Sequence, residues 1–362
     1  MCDVTRRDVL IGGAAILGLT AAGSGSHATA KAAEDEASAI EARARAAAEV
    51  NKVDQLADDV YFHEGDLVKS GHCNNGWIIF EDYVLVIDAN FPSGARLILP
   101  KIRALTDKPI RFAFDTHHHG DHTYGNQVWV DNGAVPIAHT GVLEEMKRYE
   151  TGYYGGPPGR WEAAAKQRPD MKDTHLKPPS VLFPRDLIFD DGKHRVELMH
   201  LGVAHTHGDA LAWLPKERIL FTGDACVNGP YNFVGDGNVE QWIKTLDAAK
   251  TLGARVICPG HGPRDAGELL GFQQKFFQAV WTGVAKLVDA KKSAAEVRDA
   301  VPGMLGEIKA NASLARFAGP GLGGQVEKAY NEMTGQKFPA AQTSENSGRA
   351  MHAHAHGLAL LA

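Results

Sequence analysis

The chain has 362 residues, 44% hydrophobic and 23% charged, a balance that excludes a mainly disordered chain, a collagen-like repeat and a polytopic membrane protein. Its 38 Lys and Arg against 44 Asp and Glu leave a net charge of −6, which argues against coating nucleic acid or binding membranes through a basic surface. Histidine is unusually frequent at 17 residues, and it is the commonest metal-binding side chain. The four cysteines, Cys2, Cys73, Cys226 and Cys258, form no CxxC pair and read as small buried hydrophobes rather than a disulfide framework.

At the N-terminus Thr5-Arg6-Arg7-Asp8-Val9-Leu10 leads into an apolar run from Val9 to Leu19. As a helix this run rises about 16 Å, too short for about 30 Å of hydrocarbon. Ala28-Thr29-Ala30 supplies a small-x-small cleavage site. The paired arginines and weakly apolar centre resemble a twin-arginine (Tat) export signal, with Val9 where the usual pattern has Phe. On this reading residues 1–30 are removed, and the mature chain begins near Lys31 in the periplasm or outside the cell, with no lasting membrane insertion. Residues 31–54 read as a helical linker, 55–265 as the main domain, 266–340 as a helical extension and 341–362 as a flexible His-containing tail.

From Val60 the period becomes that of strands. Gly76–Phe80 and Tyr83–Asp88, around a polar Glu81-Asp82 turn, predict two adjacent strands. Ser93–Thr106 has helical spacing, with Pro100 expected to kink or restart it. Ile110–Phe114 and Val135–Ala138 are further strands. Residues 150–185, with Tyr153, Tyr154, Gly155, Gly156, Pro157, Pro158, Gly159 and Trp161, lack a clear period and read as either a lid over a site or a surface insertion. Strands resume at Leu187–Phe189, Val196–Leu201, Ala210–Leu214, Ile219–Thr222 and Arg255–Ile257, with a helix over Val239–Leu252. Residues 266–300 and 312–334 have purely helical spacing. The pattern is α/β, with sheets covered by helices on their outer faces.

The decisive segment is Thr116-His117-His118-His119-Gly120-Asp121-His122, at a strand end. Residues two apart on an extended chain share a face, so His117 and His119 can grip one ion, while His118 points away. Gly120 allows a sharp turn that returns Asp121 and His122 to the same place. Three distant partners follow at other strand ends within Gly-containing turns: His205 in Ala204-His205-Thr206-His207-Gly208-Asp209, Asp224 in Thr222-Gly223-Asp224, and His261 in Pro259-Gly260-His261-Gly262. In that order these motifs resemble the metallo-β-lactamase superfamily over about residues 60 to 264.

The resemblance implies a four-layer αββα sandwich with metals at one edge between the sheets. By motif, His117, His119 and His205 would hold a first metal, Asp121, His122 and His261 a second, and Asp224 would bridge both. A nitrogen and oxygen set without thiolate suits two Zn²⁺ and tolerates Fe or Mn. Asp88 matches a family Asp that braces the site without binding metal, and His207 is a candidate for facing substrate. The implied chemistry is hydrolysis of a carbonyl bond by a metal-bridging hydroxide, with Asp121 as ligand and proton acceptor.

The bond cut is a separate question. The true β-lactamases carry Cys or Ser at the Gly-Asp position, whereas Asp there resembles glyoxalase II-type thioesterases, lactonases and other general hydrolases. Cys226 falls two residues too late to substitute for Asp224. Asn228, Tyr231, Asn232 and Phe233 follow at the distance where relatives contact substrate; for the asparagines a turn-forming role is an equal alternative. The favoured expectation is a small cyclic amide, lactone or other ester, with β-lactamase activity as a side reaction. A glyoxalase II-type thioesterase is the first alternative, and an iron-dependent oxidoreductase or a metal-binding periplasmic accessory protein the second. The alternating histidines of Met351-His352-Ala353-His354-Ala355-His356 read as weak, adventitious metal binders.

Overall fold

The two strands predicted around Glu81-Asp82 form an antiparallel pair in which both faces are buried. In the computed structural model, which describes residues 50–150 and 159–336, Ile78, Phe80, Leu85 and Ile87 face one apolar layer. Trp77, Ile79, Val84 and Val86 face another. Strands covered on both sides read as continuous apolar runs rather than as alternation, which is why these were legible.

The first sheet runs in chain order through β1 (Val53–Ala57), β2 (Val60–His63), β3 (Asn75–Ile79), β4 (Val84–Ile87), β5 (Ile110–Asp115), β6 (Val135–His139) and β7 (Val181–Phe183). It is antiparallel as far as β4 and parallel from there on. The second sheet has the order β13 (Asp265–Ala266), β12 (Val256–Pro259), β11 (Ile219–Gly223), β10 (Leu211–Leu214), β9 (Arg195–Met199) and β8 (Asp186–Asp190).

Phe62, Phe114, Phe183, Leu198, Leu214, Phe221 and Val256 come from both sheets and fill the layer between them. The helices Pro92–Arg103 and Asn126–Asp131 cover the outer face of the first sheet. Val239–Thr251, Glu268–Asp289 and Leu322–Thr334 cover the second through Trp242, Phe276, Phe277 and Val326. The result is the expected αββα sandwich.

Three local expectations change. Val53 and Asp54, assigned to the linker, begin β1. The remainder of the linker lies outside the described residues, apart from Val50 to Lys52, as do the export signal and the tail. Pro100 sits inside the helix Pro92–Arg103 without ending it; its missing N–H costs one hydrogen bond, to the carbonyl four residues earlier, while the Pro100 carbonyl still accepts from the Ala104 N–H. The stretch at 150–185 contains a helix, Arg160–Gln167, and the edge strand β7. That helix is only two turns long, and it buries Ala164 against Phe91, Tyr124, Met171 and Leu176. Residues 151–158, with Tyr153 and Tyr154, lie outside the described residues. Cys73, Cys226 and Cys258 are buried and free.

Candidate metal centre

The candidate ligands stand on the loops that leave β5, β9, β11 and β12 at one edge of the sandwich. The helix Val239–Thr251 steadies two of these loops. Its Trp242 indole N–H donates to the Ala225 carbonyl (2.8 Å) and its Thr245 hydroxyl to the Val203 carbonyl (2.8 Å).

The ligand atoms of His117, His119 and His205 lie within 4.8 Å of one another, as do those of Asp121, His122 and His261. His205 Nε2 is 2.8 Å from His119 Nδ1, and His261 Nε2 is 3.1 Å from Asp121 Oδ2. The Asp224 carboxylate stands between the two groups, 3.4 Å from His122 Nε2, 3.4 Å from His261 Nε2 and 3.5 Å from His205 Nε2. All seven residues named from the motifs are therefore brought together. His117 Nε2, His122 Nε2 and Asp224 Oδ1 are buried without a hydrogen-bond partner. Each such atom costs about 1–3 kcal/mol when left unmet. Converging nitrogen lone pairs and carboxylate oxygens of this kind fit divalent cations of the zinc, iron or manganese type.

Close approach explains the glycines. A Cβ on Gly260 would lie 2.0 Å from Asp224 Oδ1, so only glycine lets the His261 turn close on the bridging carboxylate. At Gly120 the expected reason was a special backbone turn. Instead the residue starts a short helix, Gly120–Thr123, and a Cβ there would strike the Tyr124 ring at 2.3 Å.

A surrounding layer holds the ligands. Asp88, in the left-handed region with φ 63°, accepts from the Thr116 N–H (2.9 Å) and hydroxyl (2.8 Å) through Oδ1. Its Oδ2 lies 2.9 Å from His122 Nδ1. This is the bracing expected of it, and a non-glycine residue with positive φ is a strain found where surrounding structure holds it. Asn74, unremarked in the sequence, donates to the carbonyls of Pro259 (2.8 Å) and Gly262 (2.8 Å), locking the His261 turn from both sides.

Asp236 and Arg160 were also missed. Asp236 Oδ2 lies 2.9 Å from His119 Nε2, and Arg160 grips the carboxylate with both terminal nitrogens at 2.6 and 3.0 Å. Burial alone would raise the Asp236 pKa, but the hydrogen bonds from His119 and Arg160, with His118 close by, hold it well below the carboxylate range. The only sequence signal was a charged residue in the turn Gly235-Asp236-Gly237.

His118 joins neither of these two groups, although its ligand atom clusters with those of His119 and Asp236, and it is fully buried. Its ring stacks on Tyr149 at 5.6 Å, and its Nε2 lies 3.3 Å from Arg160 Nη1. His207 is exposed. Of the four residues proposed to meet substrate, two face the cluster. Phe233 lies 5.7 Å from the His119 ring, and Tyr231 6.0 Å from that of His261. Asn232 does not face it. Buried, it donates to the Phe317 carbonyl (3.2 Å), accepts from Gln273 (2.8 Å), and its own carbonyl accepts from Gln325 (2.7 Å). Asn228 likewise braces, donating to the Pro263 carbonyl (2.8 Å) and accepting from Arg316 (3.1 Å).

Burial and the neighbouring histidines hold His117 well below the usual imidazole range, and burial takes His119 down to about 3. Both offer neutral ligands. For His261 burial also lowers the pKa, but Asp224 and Asp121 outweigh it and raise it from 6.5 to about 9. At pH 7 the ion-free protein therefore carries a proton on His261 that an incoming cation must displace. Zinc affinity should rise as pH increases from 6.5 toward about 9, and loading at pH 7 should release protons. Calorimetric titration in buffers of different ionisation heat measures this; uptake that is independent of pH and releases no proton would contradict it.

With the geometry in hand, comparison places the chain. The profile of the metallo-beta-lactamase superfamily matches residues 69–261, more than half the chain, and the protein belongs to that superfamily. A type 2 metallo-beta-lactamase of Bacteroides fragilis is 36% identical over 104 residues, a match spanning 27% of this chain and 42% of that protein. The metallo-beta-lactamase structure from Pontibacter korlensis superposes with a TM-score of 0.50 at 18% identity, covering 63% of this chain and 98% of the other. An inverting sec-alkylsulfatase from a Pseudomonas species superposes with a TM-score of 0.61 at 15% identity, covering 80% of this chain and 51% of that one. These two structural likenesses speak for the fold alone.

Proposed function

We propose that the protein is an exported binuclear metallo-hydrolase that cleaves a carbonyl bond in a small molecule: a cyclic amide, a lactone or another ester. The observation that carries this reading is the position of Asp224, whose single carboxylate lies within 3.5 Å of ligand nitrogens from both histidine groups. When bound, two divalent ions supply a water acidic enough to attack near neutral pH and a Lewis acid for the carbonyl.

The chain's own residues do the rest. Asp121 has a side chain 23% exposed, against 7% for Asp224, so Asp121 is the ligand carboxylate placed to take a proton at the mouth. Asp88 fixes the His122 ring through Nδ1. Phe233 and Tyr231 set aromatic surface beside the His119 and His261 rings. The motif Arg6-Arg7 supports export through the twin-arginine route.

Asp at position 224 also supports a second reading, a thioesterase of glyoxalase II type. One experiment separates these. Purified protein should take up about two equivalents of zinc, and the loaded form should be assayed on lactone, β-lactam and thioester panels. Saturation with a single ion would overturn the binuclear reading. Turnover confined to thioesters would replace the first substrate class with the second.

A further inference from the structure

Asp236 clusters with His118 and His119 but reaches the two groups around Asp224 only through His119, and that contact selects one nitrogen. His119 Nε2 must carry the hydrogen, because its 2.9 Å partner is a carboxylate oxygen. The free lone pair is then on Nδ1, the nitrogen that lies 2.8 Å from His205 Nε2 and faces the ligand group. The Asp236 carboxylate is only 6% exposed, and Arg160 fixes it through a two-point grip. The Arg160 guanidinium is itself held, with its carbon 3.8 Å from the centre of the Tyr149 ring.

We infer that Asp236 is a positioning residue for the first ion: backed by Arg160, it fixes the tautomer and plane of His119 so that Nδ1 is presented to the metal. This rests on reading the cluster as a metal centre. Carboxylates behind ligating histidines set ring orientation and raise ligand basicity, and losing one costs about 10–100-fold in metal affinity. Arginine suits the backing role because its planar fork constrains both carboxylate oxygens, which lysine cannot do.

The test is stepwise zinc competition against a chromophoric chelator, together with the cobalt absorption spectrum of each site, for wild type and Asp236→Asn. The expected result is an affinity loss of about 10–100-fold for one of the two ions, with the other unchanged and the cobalt bands of one site altered. A residue that only supported the loop would lower the melting temperature of the ion-free protein and leave both affinities alone; that result overturns the assignment. Two-ion binding by Asp236→Asn at wild-type affinity overturns it as well, while leaving the metal centre standing. Failure of wild type itself to bind zinc would remove both. Nitrogen-15 histidine spectra of the zinc-loaded wild type need no variant. They should show His119 with hydrogen on Nε2 and metal on Nδ1, and the reverse pattern refutes the inference.

Discussion

Asp224→Ala should cost the protein one ion of the pair and lower hydrolysis by on the order of 10³-fold, comparable to losing a principal electrostatic stabiliser of the reaction. His122, His205 and His261 all point nitrogens at this carboxylate within 3.5 Å. Without it, two cations would have to sit close together with no shared negative charge between them. Alanine is smaller and apolar, and Asp224 is 5% exposed, so water reaches the gap poorly. Elemental analysis after chelation and reconstitution is the direct measurement. A variant that still holds two equivalents, with activity near wild type, would show that Asp224 is not the bridge.

The second large effect is expected at Asp121. Asp121→Asn keeps the size and one oxygen but removes the negative charge that can accept a proton. Activity should fall by roughly 10² or more, as for loss of a positioned acid–base group. The comparison is His118→Ala, three residues away. That variant should keep its metal, because His118 belongs to neither of the two groups around Asp224. It should also melt at a lower temperature, since the ring is buried and stacked on Tyr149. Loss of metal from His118→Ala beside full activity in Asp121→Asn would mean that the ligand register is wrong.

The seven residues that the fold brings together were readable from sequence because they sit in loops that follow apolar strands, and because metal chemistry restricts the residue types that would recur there. Asp88 was readable for the same reason. The supports were not. Asn74 acts on a turn carrying Pro259 and Gly262, so nothing local marks it. Asp236 and Arg160 meet across the fold, each looking like an ordinary surface charge in its own segment. Asn232 was open to either reading, because an amide in a turn near the site serves equally well to anchor backbone, and burial decides for the anchor. The strand β1 and the helix Arg160–Gln167 were hidden because they are short and only partly buried.

The anchoring of Asn232 gives the C-terminal helices an influence beyond their own layer. Gln273 lies on Glu268–Asp289 and Gln325 on Leu322–Thr334, and together they pin the residue next to Phe233 and four before Asp236. A change of length or amide at either glutamine should loosen the segment that carries Phe233 and Asp236. Sequence drift in these helices can thus reach the segment beside the cluster without altering any of the seven converging residues. In a library screened for altered selectivity, beneficial substitutions at positions 273 and 325 would belong to the mouth as much as those at 231 and 233.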